Sequence, residues 1–403
     1  MLIKPTFRLV AKPEMLLPID VDFTRTTTAY RSNKFGTLES KAAGALRHDY
    51  DPYTGEYLGW LLEYQSTNYL LNSEQTDLWT TTNVTVSASM TDAPDGTGTA
   101  DSITDNATSG LHYVSQTVAY NSNQVWTYSV YVKAGTGRYV YLNIVDSTSN
   151  NYVRGSFDLQ TQTTATATLG TGTGVSCQMT PCANGWYRLS VTGQPSTTSD
   201  SSVKAHLYMS GSLTGTTYSG TGSTVYAWGH MLELSTYRTS YIKTTTASAS
   251  RSSDSIKWLT GSWTNDAEGT FVLEFKPFTN NAGEVFRHDD GTANNGRRIH
   301  VTQSTLAMST FELIAGNSHN SGISSGPSIN NGYVKVAYGY GSGSAIGAGN
   351  NVLAASNPYC ASGLTEMHLG ISGHGASTFS GWVRQFMYFP RKLSDSDIKS
   401  LST

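Results

Sequence analysis

Alternating apolar and polar residues are the sequence feature that most constrains how this chain can fold. In residues 126–133 the apolar side chains occupy the even positions, and the polar ones, together with Tyr131, occupy the odd positions. Residues 139–145 and 203–209 alternate in the same way, and a glycine turn at 135–137 predicts a hairpin between the first two runs. Successive side chains of a strand point to opposite sides of a sheet, so this pattern predicts strands with one buried face. No segment with a helical period separates them, which predicts an all-β fold of the sandwich or jelly-roll kind.

The chain of 403 residues is longer than one ordinary sandwich requires, so we divide it into three parts. Residues 1–70 hold few apolar runs and are predicted to be an extended N-terminal attachment segment that cannot bury a core alone. Residues 71–245 and 246–403 are each predicted to form a β-sandwich. A Thr/Ser/Ala-rich stretch at 243–255 is the predicted linker, and a capping pattern at 394–397 predicts a short terminal helix.

The low charge of the chain argues against two classes of partner. Charged residues make up 14% of the sequence and the formal net charge is −3. Nucleic acids and anionic membranes are bound by basic patches, and here no basic run is longer than two residues. We therefore expect no nucleic-acid partner. No stretch approaches the roughly 18 apolar residues of a transmembrane helix, so we also expect no membrane insertion.

Three cysteines, Cys177, Cys182 and Cys360, are too few for a disulfide framework. Cys177 and Cys182 are close enough in sequence to pair, which leaves Cys360 over. Synthesis in a reducing compartment is the simpler interpretation and fits assembly in a bacterial cytoplasm. The N-terminal 18 residues lack the basic start and apolar centre of a secretory signal peptide.

Short motifs along the chain resemble, in their order, those of tailed-phage virion proteins. They are DFTR (22–25), LRHDYDPYTG (46–55), LLEYQSTNYL (61–70), APDGT (93–97), YSVYVKAG (128–135), NGWYR (184–188), WGHMLE (228–233) and a third region that begins with EGTF (268–271). The part at 71–245 resembles carbohydrate-binding jelly-roll modules of the xylan- and glucan-binding kind. The part at 246–403 is similar to concanavalin and laminin-G-type sandwiches. The resemblance implies a homotrimeric tail fibre or spike on the virion, attached to other virion proteins through residues 1–70.

Six outward-facing residues of the carbohydrate-module-like part form the predicted sugar-binding surface. They are Tyr131, Tyr139, Tyr141, Asn143, His206 and Tyr208. Sugars lay their C–H groups on aromatic rings, while short polar side chains bind their hydroxyls. The same rings are typical of a protein interface or of packing beneath a loop. Trp186 and Trp228 are interpreted as core residues.

The sequence offers only weak catalytic and metal-binding candidates. Residues 322–326 match G-x-S-x-G but lie in a Ser/Gly/Asn-rich loop, without the strand and helix that this pattern requires. A glycosidase needs two carboxylates across a cleft, and nothing in the sequence pairs Glu274, Glu312 or Glu366. His288, Asp289 and Asp290 offer nitrogen and oxygen ligands in a row, but neighbouring side chains of a strand point to opposite faces and seldom bind one metal together. We expect no enzymatic activity and no cofactor, although modules of the resembled kind commonly hold a structural calcium ion, for which no ligand is assigned.

Three functions follow, in order of preference. The first is adhesion of a phage tail fibre or spike to host-surface glycans, where three clustered sites would raise the avidity. The alternative is a structural head-fibre or capsid decoration protein that binds other virion proteins and no sugar. The third is a glycan depolymerase.

Overall fold

The computed structural model describes residues 4–278, 283–301, 308–320, 332–341, 344–349, 352–353, 358–370 and 379–403. These residues form two β-sandwiches with a single short α-helix and two single-turn 3-10 helices, which confirms the predicted all-β fold. The G-x-S-x-G match at 322–326 lies outside the described residues.

The strands follow one another along the chain with short connections. The first seven are β1 (Phe7–Val10), β2 (Val21–Thr24), β3 (Ala29–Ser32), β4 (Leu38–Lys41), β5 (His48–Tyr50), β6 (Tyr57–Leu62) and β7 (Ser66–Asn68). The next fourteen are β8 (Thr80–Thr82), β9 (Val84–Thr91), β10 (Ala100–Asp105), β11 (Ser109–Gly110), β12 (His112–Val118), β13 (Trp126–Ala134), β14 (Tyr139–Asp146), β15 (Tyr152–Asp158), β16 (Thr163–Leu169), β17 (Thr173–Pro181), β18 (Trp186–Gln194), β19 (Val203–Ser210), β20 (Tyr218–Ser219) and β21 (Thr224–Glu233). The last elements are β22 (Ala249–Arg251), β23 (Ser255–Leu259), β24 (Glu268–Pro277), β25 (Gly283–Asp289), β26 (Gly296–Val301), β27 (Met308–Ile314), β28 (Asn317–Asn320), β29 (Val334–Gly341), β30 (Ser344–Gly349), β31 (Val352–Leu353), β32 (Glu366–Gly370), β33 (Gly381–Phe389) and α1 (Asp395–Leu401); the 3-10 helices are Thr76–Leu78 and Ala183–Gly185.

Two six-stranded antiparallel sheets form the first sandwich, here called the middle sandwich. The cleft sheet has the strand order β17-β18-β13-β21-β10-β9, and the tyrosine sheet has the order β16-β15-β14-β19-β12-β8. Between them lies a core that contains Trp126, Val130, Leu142, Ile144 and Leu207. The alternation placed these side chains inward, so the period of 2 identified the buried face correctly.

Strands from both sides of the middle sandwich in the sequence build the second sandwich, here called the terminal sandwich. One of its sheets has the order β31-β30-β29-β24-β33-β6-β5, with β1 also paired to β33. The other has the order β2-β23-β32-β25-β26-β27-β28. Its core includes Phe271, Leu273 and Phe275, which the sequence placed on one face, together with Trp60 and Leu62.

The N-terminal part of the chain differs from the separate attachment segment that we expected. β1 pairs with β33, with Phe7 opposite Tyr388, and β2 pairs with β23, with Val21 opposite Trp258. Too few apolar runs are present here for an independent core, and these strands instead share a core with strands from the other end of the sequence. Strands β1, β2, β5 and β6 are therefore structural strands of the terminal sandwich, whereas β3 and β4 form a two-stranded sheet of their own.

The glycine turn at 135–137 joins two sheets and does not close a hairpin. β13 lies in the cleft sheet between β18 and β21, whereas β14 lies in the tyrosine sheet between β15 and β19. A hairpin would have placed Tyr131 opposite Tyr141 and on the same outer face as Tyr139. The crossing connection places the two residues on opposite sides of the middle sandwich.

Five buried charged side chains, here called the ion cluster, hold the predicted linker against the terminal sandwich. Arg47 Nη1 donates to Glu63 Oε2 at 2.7 Å, and its Nη2 donates to Asp254. Arg25 Nη1 lies 3.0 Å from Asp254 Oδ1, and Arg251 Nε lies 3.5 Å from Glu63 Oε2. Strand β22 also pairs with β7. The stretch at 243–255 is thus fixed by ion pairs and a strand ladder.

The short helix α1 begins where the capping pattern predicted. Ser394 Oγ accepts a hydrogen bond from the backbone N–H of Asp397 at 3.2 Å, and Ile398 packs on the terminal sandwich. Among the described residues, the structure contains no helix with the length and apolar character needed to cross a bilayer.

All three cysteines are free thiols, so Cys177 and Cys182 do not pair. Cys182 is buried, while Cys177 and Cys360 are half-buried. Burial raises the pKa of each of the three thiols, which keeps them protonated at neutral pH.

Candidate binding site

Five of the six predicted binding residues lie together on the outer face of the tyrosine sheet. β14 carries Tyr139, Tyr141 and Asn143, and the neighbouring β19 carries His206 and Tyr208. In the strand register Tyr141 lies opposite Tyr208, and Asn143 lies opposite His206. The alternation therefore grouped these five side chains correctly.

The two central tyrosines of this face are covered by the protein itself. Tyr141 is 1% exposed and Tyr208 is 8% exposed. The hydroxyl of Tyr141 contacts the backbone carbonyl oxygens of Ser212 and Gly215, in the loop that follows β19. Packing beneath a loop, one of the alternatives considered from the sequence, thus accounts for Tyr141.

Stacked side chains fill the rest of the same face. Tyr113 stacks on His206 with ring centroids 4.9 Å apart and ring planes within 6°. Arg154 Nε donates to Asn143 Oδ1 at 2.9 Å. Burial, with a smaller contribution from the charge of Lys204, lowers the pKa of His206 to about 4, so this imidazole is neutral at physiological pH. The face offers little ring surface on which a sugar could lie.

Tyr131 does not belong to this face, which corrects the sequence prediction. It lies on β13, on the outer side of the cleft sheet, opposite Arg188 and near Trp228 in the register. The side chain is 5% exposed, and its ring lies 5.3 Å from the guanidinium carbon of Arg188. The physical reason is the crossing connection between β13 and β14. Trp186 and Trp228, interpreted as core residues, are indeed buried.

A cleft of about 430 Å³ lies between the two sandwiches. Its floor is the outer side of the cleft sheet, and the opposite wall comes from the terminal sandwich, including residues 49–52 and 276–278. Residues 236–241, which follow β21, complete the lining. The volume lies within the range of about 300–1,000 Å³ that is typical of small-ligand sites.

Polar side chains cover the floor because β17 and β18 alternate. Gln178 lies opposite Ser190, and Ser176 lies opposite Thr192 in the register, and all four line the cleft. The intervening Leu189 points into the core of the middle sandwich. Hydroxyl and amide groups both donate and accept hydrogen bonds, so this floor matches the hydroxyls of a sugar.

Three half-buried aromatic rings form a continuous wall of the cleft. The ring of Phe278 packs edge-on against Tyr237 at 5.8 Å and against Trp382 at 4.9 Å between centroids. Trp382 Nε1 donates to Asp49 Oδ2 at 2.8 Å, and the Tyr237 hydroxyl hydrogen-bonds with Ser380 Oγ at 3.0 Å. These contacts fix the ring orientations before any ligand binds.

Two arginines that line the cleft, Arg188 on the floor and Arg238 in the segment after β21, have no carboxylate partner among the residues that the structure describes. Arg188 is 8% exposed; its Nη2 donates to Ser129 Oγ at 3.3 Å, and its Nε has no partner. Arg238 donates to the carbonyl oxygen of Arg188 and to Thr180 Oγ1, both at 3.1 Å. Burial, and then the charge of Arg188, lower the pKa of Arg238 to about 10, which leaves it charged at pH 7.

The cleft carboxylates already accept hydrogen bonds from the protein. Burial raises the pKa of Asp49 to about 6, although hydrogen bonds from Trp382 and Ser32 oppose the increase. Asp51 accepts from two backbone N–H groups of its own turn. Asp49 thus orients the Trp382 ring of the aromatic wall, and Asp51 stabilises the turn that contains Tyr53 and Thr54.

In the terminal sandwich, one carboxylate oxygen each of Asp289 and Glu366 and one ring nitrogen of His368 lie within 4.8 Å of one another. Among the described residues, this group could hold a cation. Arg287 Nε donates to Asp289 Oδ2 at 2.6 Å, and Lys257 contacts Glu366. The chain therefore already supplies the positive charges that these carboxylates require. Of the residues considered for a metal from the run at 288–290, Asp289 alone belongs to this group.

No protein-family model and no curated protein matches the chain. Solved structures with a similar fold include the CBM40 domain of the Ruminococcus gnavus IT-sialidase bound to α2,3-sialyllactose, which is 15% identical, covers 34% of this chain and 84% of its own, and has a TM-score of 0.30. Domain 4 of AbnA, a GH43 extracellular arabinanase from Geobacillus stearothermophilus, in complex with arabinotriose, is 13% identical, covers 41% and 81% of the two chains, and has a TM-score of 0.31. Domains LG4-5 of the mouse laminin α1 chain are 10% identical, cover 72% and 90%, and have a TM-score of 0.25.

The sequence analysis did not predict the cleft, although the alternation along β18 indicates part of its floor. Arg188, Ser190 and Thr192 alternate along β18, which places them on one outer face. The aromatic wall comes from Phe278 and Trp382, and no local pattern indicates that these residues face β18.

Proposed function

We propose that the protein is a non-enzymatic glycan-binding adhesion protein whose ligand lies in the cleft between the two sandwiches. The observation that carries this proposal is the combination of an aromatic wall with a floor of hydroxyl and amide groups in one cleft of about 430 Å³. A sugar ring has apolar C–H faces and a rim of hydroxyls, so it matches both surfaces at once.

The cleft is a better candidate than the tyrosine face that the sequence indicated. On that face Tyr141 and Tyr208 are buried, and His206 is already stacked on Tyr113. Only the flanking rings Tyr113 and Tyr139 are half-buried there, while the two central tyrosines are covered. In the cleft, Phe278 and Trp382 are half-buried and line open space.

The proposal includes the location of the protein on a phage virion, as a homotrimeric tail fibre or spike that contacts host-surface glycans. The order of the sequence motifs supports it, and so do two apolar side chains between β1 and β2, Leu16 and Ile19, which are 85% and 97% exposed. Apolar side chains that are exposed in this way are typical of protein contacts. The same observation favours the second candidate, a capsid decoration protein without sugar binding. Imaging of purified particles with an antibody against the chain, and a solution mass that is three times 43.4 kDa, test the location and the trimer.

Replacement of Phe278 with alanine tests the cleft. The substitution removes the central ring of the wall, and we expect a loss of about 1–3 kcal/mol of binding free energy. At about 1.4 kcal/mol per tenfold change, this is roughly a 5- to 150-fold loss in affinity. Glycans are first identified on a mixed glycan array with the wild type, and affinities are then measured by calorimetry.

Tyr139→Ala is the matched control because Tyr139 is a half-buried ring on the tyrosine face. We expect its affinity to equal that of the wild type. A loss of binding in Tyr139→Ala with full binding in Phe278→Ala would move the site to the tyrosine face. An array on which no glycan binds would refute the adhesion function and favour the decoration protein.

A further inference from the structure

We propose that the glycan bound in the cleft is acidic and that Arg188 and Arg238 bind its carboxylate, as they would in an oligosaccharide that contains a hexuronic acid. This inference rests on the proposed function and names the substrate class of the same site. The observation behind it is the pair of positively charged side chains, Arg188 and Arg238, that line the cleft.

Most of the buried arginines contact a carboxylate, whereas Arg188 and the half-buried Arg238 do not; within the described chain, Arg154 on the tyrosine face is another buried arginine whose side-chain partner is neutral. Arg31, Arg47, Arg287 and Arg297 each contact a carboxylate at 3.2 Å or less. Neither Arg188 nor Arg238 makes such a contact with any described residue; their partners are hydroxyl and carbonyl oxygens. Neutral acceptors satisfy some of their N–H groups but carry no charge, and the Glu233 carboxylate acts on both guanidinium groups only from beyond contact distance.

Unneutralised charge inside a cleft is unfavourable unless a ligand compensates for it. Transfer of a cation out of water costs several kcal/mol, and a second cation beside it increases this cost. An anion placed between the two guanidinium groups removes the repulsion and gains charge-assisted hydrogen bonds. Planar guanidinium groups bind a carboxylate with two parallel hydrogen bonds, which lysine cannot do.

The orientation of Arg188 is fixed in advance. Its guanidinium carbon lies 5.3 Å from the ring centroid of Tyr131, and its Nη2 donates to Ser129. None of the described residues accepts a hydrogen bond from the Nε of Arg188, although the side chain is only 8% exposed. The Nε atoms of Arg47 and Arg251 also make no hydrogen bond within the described chain; that of Arg188 differs in belonging to a residue that lines the cleft, where a carboxylate oxygen would satisfy it.

The surroundings of the pair indicate a sugar acid and not an isolated small anion. Gln178 lies opposite Ser190 on the floor, and two residues further along the same strands Thr180 lies opposite Arg188. Ser190 and Gln178 are therefore neighbours of Arg188 on the same face. A ligand that places a carboxylate at the two arginines therefore has hydroxyl and amide groups next to it. The aromatic wall with Phe278 also lines the same cleft.

The test uses pairs of oligosaccharides that differ only in the acid. Oligomers of galacturonic, glucuronic and mannuronic acid are each compared with their carboxyl-reduced, neutral counterparts by calorimetry with the full chain. We expect at least one acidic oligomer to bind tenfold or more tightly than its neutral counterpart, and this preference to shrink as the salt concentration rises.

Arg238→Gln should reduce the affinity for the acidic oligomer tenfold or more and change the affinity for the neutral one less than twofold. Arg238→Lys keeps the charge but not the planar donor pair, so we expect an intermediate loss. Arg391→Gln, an exposed arginine outside the cleft, is the matched control and should bind like the wild type. The melting temperature of Arg238→Gln should not fall, because the substitution removes repulsion between like charges.

Two results would overturn the inference while the proposed function stands: equal binding of acidic and neutral oligomers, or an equal loss for both in Arg238→Gln. Binding of a sulfated galactan without binding of any uronic acid oligomer would overturn the assignment of a carboxylate. If Phe278→Ala binds every ligand as the wild type does, the site lies outside the cleft and the proposed function itself fails there.

Discussion

Replacement of Glu63 with glutamine tests how the ion cluster stabilises the fold. The carboxylate of Glu63 is fully buried and accepts hydrogen bonds from Arg47 Nη1 and from the backbone N–H and hydroxyl of Ser240. Arg251 Nε lies 3.5 Å away. Glutamine has the same shape but removes the negative charge, so it leaves the surrounding arginines with Asp254 as their remaining acid in the cluster.

The size of the effect follows from the pKa of Glu63. Burial alone would raise this pKa, but the charges of Arg251 and Arg47 outweigh it and lower the pKa from 4.5 to about 2. At about 1.36 kcal/mol per pH unit, such a shift corresponds to roughly 3 kcal/mol of stability. Since the folded-state pKa is the lower one, this contribution is fully present above pH 4.5 and is lost as the pH falls towards 2.

Urea denaturation of both proteins from neutral pH to about pH 3 measures the difference directly. We expect Glu63→Gln to be less stable by about 3 kcal/mol at pH 7, with the gap narrowing at acidic pH as the wild-type carboxyl group becomes protonated. Glu56→Gln is the control: Glu56 pairs with Arg384 at 3.2 Å, but its side chain is 68% exposed, so the loss should stay below about 1 kcal/mol. A Glu63→Gln variant as stable as the control, or a gap that does not change with pH, would refute the reasoning.

Two further predictions concern the sandwiches. Leu142→Ala should lower the stability by about 2–5 kcal/mol, since Leu142 is fully buried in the core of the middle sandwich; Tyr139→Ala, on the half-buried edge of the same strand, should cost far less, and equal losses in denaturation curves would contradict the assignment of faces. Deletion of residues 1–23 should remove β1 and nearly all of β2 and expose Trp258 and Phe386, against which Phe7 packs. We expect calorimetry of the truncated protein to show only the unfolding transition of the middle sandwich. A transition of the terminal sandwich at the same temperature as in the wild type would contradict this and show that β1 and β2 are dispensable.

The sequence predicted correctly which side chains share a face of a strand, but it did not predict which strands lie next to each other in a sheet. The alternation along β14 and β19 correctly placed Tyr141 and Tyr208 on one side and Leu142 on the other, because strand geometry is local. Whether β13 and β14 form a hairpin depends on which core each strand completes, and the local turn residues do not encode this. Tyr131 was therefore assigned to the wrong sheet.

The cleft was beyond the reach of local patterns for the same reason. Its floor comes from residues near Arg188, and its wall comes from Phe278 and Trp382, which are far away in the sequence. The contact between them depends on how the two sandwiches meet. Arg47 and Glu63 of the terminal sandwich both hydrogen-bond with Ser240, in the segment that follows β21 of the middle sandwich, and polar residues scattered in this way along the sequence carry no periodic signal.

The pairing of β1 with β33 has a consequence for how the protein emerges from the ribosome. The strands of the middle sandwich lie within residues 80–233, and Leu70 and Trp79 just before them complete its core, so it can fold while the rest of the chain is still being made. The terminal sandwich must wait until Tyr388 is available to pair with Phe7. Once the middle sandwich has folded, it holds the two chain segments that leave it close together, and Ser66 then meets Arg251 across a short effective loop. Early folding of the inserted unit thus lowers the entropic barrier to assembling the unit that encloses it.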